Sequence, residues 1–264
     1  MTNDQRRTAY LEEIGIGPVW KRRSVQAEPE PHPQPERLVE QAASMPAVHD
    51  DLLFEPAAIP ADTPIPSKYD PAVIARMDWA TLKETVSGCT KCDLCHSRTH
   101  TVFGVGDEKG QWLFVGEGPG RNEDLRGEPF VGQAGKLLDN MLLALGLKRG
   151  DNAYIANIVK CRPTDAAGKD RPPTADESAA CMPYLQRQIS LIQPSIIVAL
   201  GKTAALSLLN LRPDTPVSKL RGMVHSYADL PLVVTYHPAY LLRNLADKKK
   251  AWDDMCLAMA TYGR

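Results

Sequence analysis

The chain has 264 residues, 43% hydrophobic and 24% charged, with a formal net charge of −1, which bounds it to one or two domains of ordinary globular composition. No apolar run approaches the roughly 18 residues of a membrane-crossing helix, and the opening MTNDQRRTAYLEEIG lacks the apolar core of a signal peptide, so the expected location is the cytoplasm, with no membrane partner. The charge is divided: residues 1–71 carry 7 basic and 12 acidic side chains and the remainder nets +4, which permits phosphate contacts without demanding them.

Residues 8–23, TAYLEEIGIGPVWKRR, read as one short helix followed by a basic cluster. Residues 1–21 are therefore a flexible end, a peptide for a protein partner bound through 8–23, or a flap that packs on the body. Eleven of the 22 prolines fall between Pro18 and Pro71, and EPEPHPQPE (28–36) is polyproline-like. Residues 22–70 read as a disordered linker, leaving 71–264 as the folded domain.

Within that domain WLFVGEG (112–118) is a buried strand, AGKLLDNMLLALGL (134–147) a helix with glycine near its end, and AYIANIVKC (153–161) a strand. TADESAACMPYLQRQISLIQP (174–194) opens with Thr174 and Glu177 in capping-box spacing, and Pro183 predicts a break or kink inside it. SIIVALG (195–201) is a strand, KTAALSLLN (202–210) a helix, LPLVVTYHP (230–238) a strand running into a loop, and DKKKAWDDMCLAMATY (247–262) a closing helix. Strands alternating with helices imply a mostly parallel sheet covered on both faces. Ligands of such sheets sit beyond the carboxyl ends of the strands, where GEGPGRNED, NIVKCRP and HPAYLLRN are expected to gather.

Six cysteines in a reducing compartment point to a metal site or buried thiols, not to disulfides. Cys89 and Cys92 form a C-x2-C pair with Cys95 close behind. Cys161 and Cys181 come later in the chain, and two further cysteines from distant loops would complete a four-thiolate site suited to zinc or to an iron–sulfur cluster, with Cys95 either a reserve ligand or a packed thiol. Cys256, among apolar neighbours on the last helix, reads as core. GEGPG (116–120) lacks the spacing of a dinucleotide fingerprint, and GKT (201–203) lacks the upstream glycine of a phosphate-binding loop. The glycines instead allow a flat ligand to approach the backbone, with Phe130 in the following loop as a candidate stacking platform.

GEGPGRNEDLRGEPFVGQAGKLL, NIVKCRP and HPAYLLRN, in that order and with cysteines at matching places, resemble the family 4 (iron–sulfur) uracil-DNA glycosylases. The resemblance runs from about Cys89 to the last helix. It implies a three-layer α/β/α fold with a four-stranded parallel sheet, preceded here by the disordered Pro-rich extension. It also implies excision of uracil from DNA, and a [4Fe-4S] cluster on Cys89, Cys92, Cys161 and Cys181, with Cys95 and Cys256 outside the ligand pattern; a monomer is expected.

Carried onto this chain, the motifs make Phe130 the platform for a flipped uracil. Asn157 becomes the reader of its edge, because an amide offers one acceptor and one donor. Gly118 lies in the binding loop, and His237 donates a hydrogen bond to O2, where negative charge develops. Leu241 is the wedge entering the vacated stack, and Arg243 a phosphate contact. Glu117 is expected to wall off thymine's methyl, and Glu117, Glu123 or Asp124 is a candidate for orienting water, with Glu123 preferred to Asp124. Two alternatives stand beside this reading. One is a uracil-binding, DNA-crosslinking relative, although RPTDAAGKDRPPT (162–174) lacks the histidine that such chemistry needs. The other is a non-catalytic DNA-binding module with a structural metal.

Overall fold

The computed structural model describes residues 67–263. The peptide expected at 1–21 and the linker as far as residue 66 lie outside the described residues.

Helices come first. α1 (Pro71–Ile74) begins on a proline, harmless at a position whose N–H has no helical partner, and Asp70 caps it by accepting from the Ala72 N–H. α2 (Trp79–Ser87) is capped by Asp78, which accepts from Thr81 N–H at 2.8 Å. α3 (Leu94–Ser97) is a single turn containing Cys95. The chain continues through β1 (Val105–Gly106), β2 (Trp112–Gly116), α4 (Arg121–Arg126), α5 (Gln133–Ala144), β3 (Ala153–Asn157), α6 (Ala175–Ile192), β4 (Ile196–Leu200), α7 (Lys202–Leu209), β5 (Val224–Tyr227), β6 (Leu230–Thr235), α8 (Pro238–Arg243) and α9 (Lys248–Tyr262).

The capping box of α6 forms as its spacing predicts. Thr174 accepts from Glu177 N–H, and the Glu177 carboxylate accepts in return from Thr174 N–H. The expected break at Pro183 is absent, and α6 runs through it. Buried Cys181, Tyr184, Leu185 and Ile189 hold the helix against the sheet, which outweighs one missing backbone bond.

The strand order is β1-β3-β2-β4-β6-β5. The four central strands are parallel, as expected, with Phe114 beside both Ile155 and Val198. The sheet nevertheless has six strands, not four, because a short antiparallel strand closes each edge. β1 needs Gly106: at φ 135° a Cβ there would lie 2.2 Å from the Ala153 carbonyl oxygen. β5 and β6 form a hairpin whose turn residues, Ala228 and Asp229, are both left-handed (φ 47° and 64°). Turns of that kind usually carry Asn-Gly, so the sequence gives no warning of this one. Short edges leave little backbone open to stray pairing.

Alternate strand residues feed two cores. Leu113, Val115, Ala156, Ile197 and Val234 pack with residues of α1, α2, α6 and α7. Trp112, Phe114, Ile155, Val198 and Val233 pack with α5, α8 and α9. The result is the expected three-layer α/β/α arrangement. No helix among the described residues is long and apolar enough to cross a membrane. The parallel registers end together at Gly116 beside Asn157 and Leu200 beside Thr235, so the loops after β2, β3 and β6 emerge along one edge.

Candidate active site and cysteine pocket

At that edge lies a cavity of about 560 Å³ lined by Glu117, Gly118, Glu123, Phe130, Asn157, His237 and Arg243. The three loops singled out in the sequence therefore do meet.

Close packing explains the glycine at the end of β2. A Cβ on Gly116 would stand 2.4 Å from Asn157 Oδ1 and 2.7 Å from the Phe130 ring. Only a residue without a side chain lets both groups close on the strand end. Asn157 is 2% exposed, and its Oδ1 is buried with no hydrogen-bond partner among the described residues. A buried polar atom left this way costs free energy and calls for an explanation.

Phe130 is held in a left-handed conformation, φ 55°, a state that costs of order 1–3 kcal/mol for such a residue and persists only when its surroundings over-determine it. They do. Arg149 donates from Nη1 to the Pro129 carbonyl (2.7 Å) and from Nη2 to the Phe130 carbonyl (2.9 Å), and is itself paired with Asp139. Glu123 Oε1 accepts from the Val131 and Gly132 N–H groups at 2.9 and 3.1 Å. Glu123 thus spends one carboxylate oxygen fastening the Phe130 loop.

His237 is the N-cap of α8, and its Nδ1 accepts from Ala239 N–H at 3.1 Å. That bond places the neutral ring's proton on Nε2. Burial, reinforced by the positive charge of Arg243, pushes the imidazole down to about 4. The site therefore holds a neutral histidine with one N–H to give. Its ring packs on Phe130, with centroids 5.5 Å apart and planes 27° apart. Gly201, at φ 92°, makes room: a Cβ there would stand 2.9 Å from His237 Cβ.

Glu117 accepts from the Thr203 hydroxyl, and burial raises its carboxyl above the ordinary range. The GKT segment thus acts through architecture, Gly201 behind His237 and Thr203 on Glu117, and not as a phosphate loop. Gly118 runs against Val159, whose Cγ2 would lie 2.7 Å from an added Cβ.

Leu241 corrects an expectation. A wedge must reach solvent, yet Leu241 is 1% exposed and belongs to the core beneath α8, alongside Leu137 and Met141. The exposed leucines of this segment are Leu242 and Leu245, at 41% and 64%. Arg243 is exposed at the cavity rim. Sequence reasoning also missed Tyr240, Asp170 and Arg171, which line the same cavity. Arg171 is anchored by a two-pronged bond to Glu177 at 2.8 and 2.6 Å. Only its place in a loop rich in charge and proline hinted at this.

A second, apolar cavity is lined by Cys89, Cys92, Cys95, Cys161 and Cys181, together with Arg98, Lys160 and Tyr184. Cys256 lies away from it and is exposed, not core as its sequence suggested. No three His, Cys, Asp or Glu side chains among the described residues converge as for a single metal ion. Five thiols line this one cavity, a donor set whose chemistry fits an iron–sulfur cluster as well as zinc. The cations agree with an anionic occupant: Arg98 donates to Cys161 Sγ at 3.2 Å and to the Cys89 carbonyl at 2.7 Å. Burial pushes Cys161 up to about 11 and Cys181 up to about 12, so the thiols would give up protons on binding metal.

Comparison with known proteins agrees with this geometry. Residues 103–256 match the Uracil DNA glycosylase superfamily. The chain is 45% identical over 163 residues to the Type-4 uracil-DNA glycosylase of Archaeoglobus fulgidus, covering 60% of this chain and 79% of that protein. It is 45% identical over 170 residues to the Type-4 enzyme of Sulfurisphaera tokodaii (62% and 75%) and 44% identical over 168 residues to that of Thermotoga maritima (63% and 84%). The family match over more than half of the chain and identity at this level across most of each relative place the chain in the type-4 branch of the uracil-DNA glycosylase superfamily.

Proposed function

We propose that the protein excises uracil from DNA by hydrolysing its N-glycosidic bond and leaves an abasic site. The observation that carries this reading is the unpartnered, buried amide oxygen of Asn157 in a cavity that also holds a neutral histidine. Uracil presents N3–H beside O4, and an amide matches both. Cytosine presents the reverse pattern and would leave buried groups unpaired, a large penalty. Phe130 stacks on the extruded ring, and the Glu117 loop walls off a C5 methyl.

In the reaction the C1′–N1 bond breaks and its electron pair leaves with the base. A water oxygen bonds to C1′ and its proton passes to the departing uracil. Negative charge grows on O2, where the Nε2–H of His237 stabilises it more in the transition state than in the ground state. Of the carboxylates lining the cavity, Glu117, Glu123 and Asp170, we assign the orienting of water to Glu117 and to the free oxygen of Glu123, because Asp170 is paired with Arg162.

Cys89, Cys92, Cys161 and Cys181 would hold a [4Fe-4S] cluster, which would crosslink the segment before β1 to the end of β3 and to α6. Cysteines kept as thiols for such a cluster call for a reducing compartment, so we assign the protein to the cytoplasm, acting as a monomer on uracil-containing DNA.

The test is alkali-sensitive strand cleavage of a labelled oligonucleotide carrying one uracil, using protein purified anaerobically and assayed for iron and sulfide. Breaks only at uracil, from protein holding both elements in equal amounts, are expected. Iron-replete protein that cuts nothing overturns the glycosylase reading, and a colourless zinc protein overturns the cluster.

With Leu241 buried, we assign the wedge to Leu242, its exposed neighbour on α8, which gives a separate expectation. Leu242→Ala should leave the melting temperature near wild type but lower excision from duplex DNA several-fold more than from single strands, since only a duplex has a stack to fill. Leu241→Ala should instead destabilise the fold by about 2–5 kcal/mol. Equal losses on both substrates for Leu242→Ala would remove the wedge from this position.

A further inference from the structure

Lys160 lines the cysteine cavity and has been given no part above in reaction chemistry or metal binding. It is 1% exposed, among the largest fully buried side chains of the protein, and among the described residues no carboxylate pairs with it. A buried ammonium without a counter-charge is retained only if its hydrogen bonds are good and placed to some purpose. Its side chain turns back three residues, so that Nζ donates to the Asn157 carbonyl at 2.9 Å and to Gln188 Oε1 at 2.6 Å. Gln188, fully buried on α6, donates onward to the Phe103 carbonyl at 2.9 Å. The backbone of Lys160 is tied as well: its N–H donates to Cys181 Sγ at 3.3 Å, and its carbonyl accepts from Val102 N–H at 2.7 Å.

We propose that Lys160 is a positioning residue, a buried strut that fixes the peptide of Asn157 against α6 and so ties the aim of the uracil-reading amide to the cysteine pocket. The proposal deepens the reading above and rests on it. The logic is geometric. Asn157 is the last residue of β3; the Ile158 N–H of its peptide is held by the Gly116 carbonyl at 3.0 Å, while the carbonyl on the other edge of that peptide faces away from β2 and needs a partner of its own. Lys160 supplies the missing partner from three residues on. The same residue carries a bond to Cys181 on its N–H, and it precedes Cys161. Whatever orders those two thiols therefore orders the strut, and the strut orders Asn157. A methionine of similar length would fill the space but could not hold the carbonyl. Displacement of a reading group by about 1 Å is enough to lose roughly a hundredfold in rate.

The experiment uses the full-length chain with its iron and compares Lys160→Met, Gln188→Met and Asn157→Ala. Three quantities are measured: affinity for free uracil, kcat and KM on a uracil oligonucleotide, and iron content with far-ultraviolet circular dichroism. For Lys160→Met, ten- to hundredfold losses in uracil affinity and kcat are expected, with KM, iron and dichroism unchanged. Gln188→Met, which keeps the ammonium but removes one anchor, should show a smaller loss of the same kind. If Lys160→Met does not fold or loses iron, Gln188→Met decides alone. Uracil affinity within twofold of wild type in the folded variants, with Asn157→Ala defective, overturns the strut and spares the reading of Asn157. Unchanged uracil affinity in Asn157→Ala overturns that reading and the proposal with it.

Discussion

Asn157→Ala is expected to lower kcat/KM for uracil excision by about a thousandfold or more, equivalent to about 4 kcal/mol of transition-state stabilisation. The size follows from where the amide sits. It is 2% exposed and backed by Gly116, and its oxygen has no partner among the described residues, so the protein offers no substitute once it is gone. A truncated side chain also leaves the N3–H and O4 of a bound uracil facing the Phe130 ring and the strand end, where neither finds a bond. The fold itself should survive, because removing an unsatisfied buried oxygen relieves a cost instead of adding one. Single-turnover excision on a uracil oligonucleotide, with melting temperature as the control, checks both halves. A loss below tenfold would take base reading away from this residue.

The site was legible because its chemistry is carried by short motifs at strand ends. WLFVG, AYIAN, IIVAL and LPLVVT are apolar runs of strand length, and each became a central strand. The residues after them had only one edge at which to meet, since parallel strands all point the same way. The edge strands were not legible. β1 has two residues, and β5 has a half-exposed alternation leading into an Ala-Asp turn with none of the usual turn chemistry. Leu241 shows a different limit. Adjacent leucines in LLRN look equivalent along the sequence, and only the packing of α8 on α5 buries one and exposes the other. Thr203, Arg149 and Lys160 share that limit. Each acts by reaching a residue from another motif, or by turning back on its own strand, and no spacing rule encodes such a contact. Thr174 succeeded for the opposite reason, because a capping box closes within three residues.

His237→Ala should lower kcat by about a hundred- to a thousandfold, the loss typical of one donor to a developing oxyanion, with little change in DNA affinity. The pH profile tells more about how the histidine works. Because the folded imidazole titrates near 4, His237 is neutral across the working range, and its contribution should stay constant from about pH 8 down to about pH 5. Below that, protonation puts a hydrogen on Nδ1 facing the Ala239 N–H, which removes the cap of α8 and displaces the ring. Activity is therefore expected to fall as pH passes about 4. An imidazolium acting as a general acid would behave in the opposite way, with the rate rising as pH drops through about 6.5. Stability carries the same signature. Between about pH 6.5 and 4 the unfolded chain binds a proton at His237 that the folded chain does not, so stability declines as pH falls through that window and the His237 contribution levels off below it. His237→Asn should flatten this part of the stability curve. A rate that climbs below pH 6.5 in wild type, and is flat in the variant, would replace the neutral donor with a charged one.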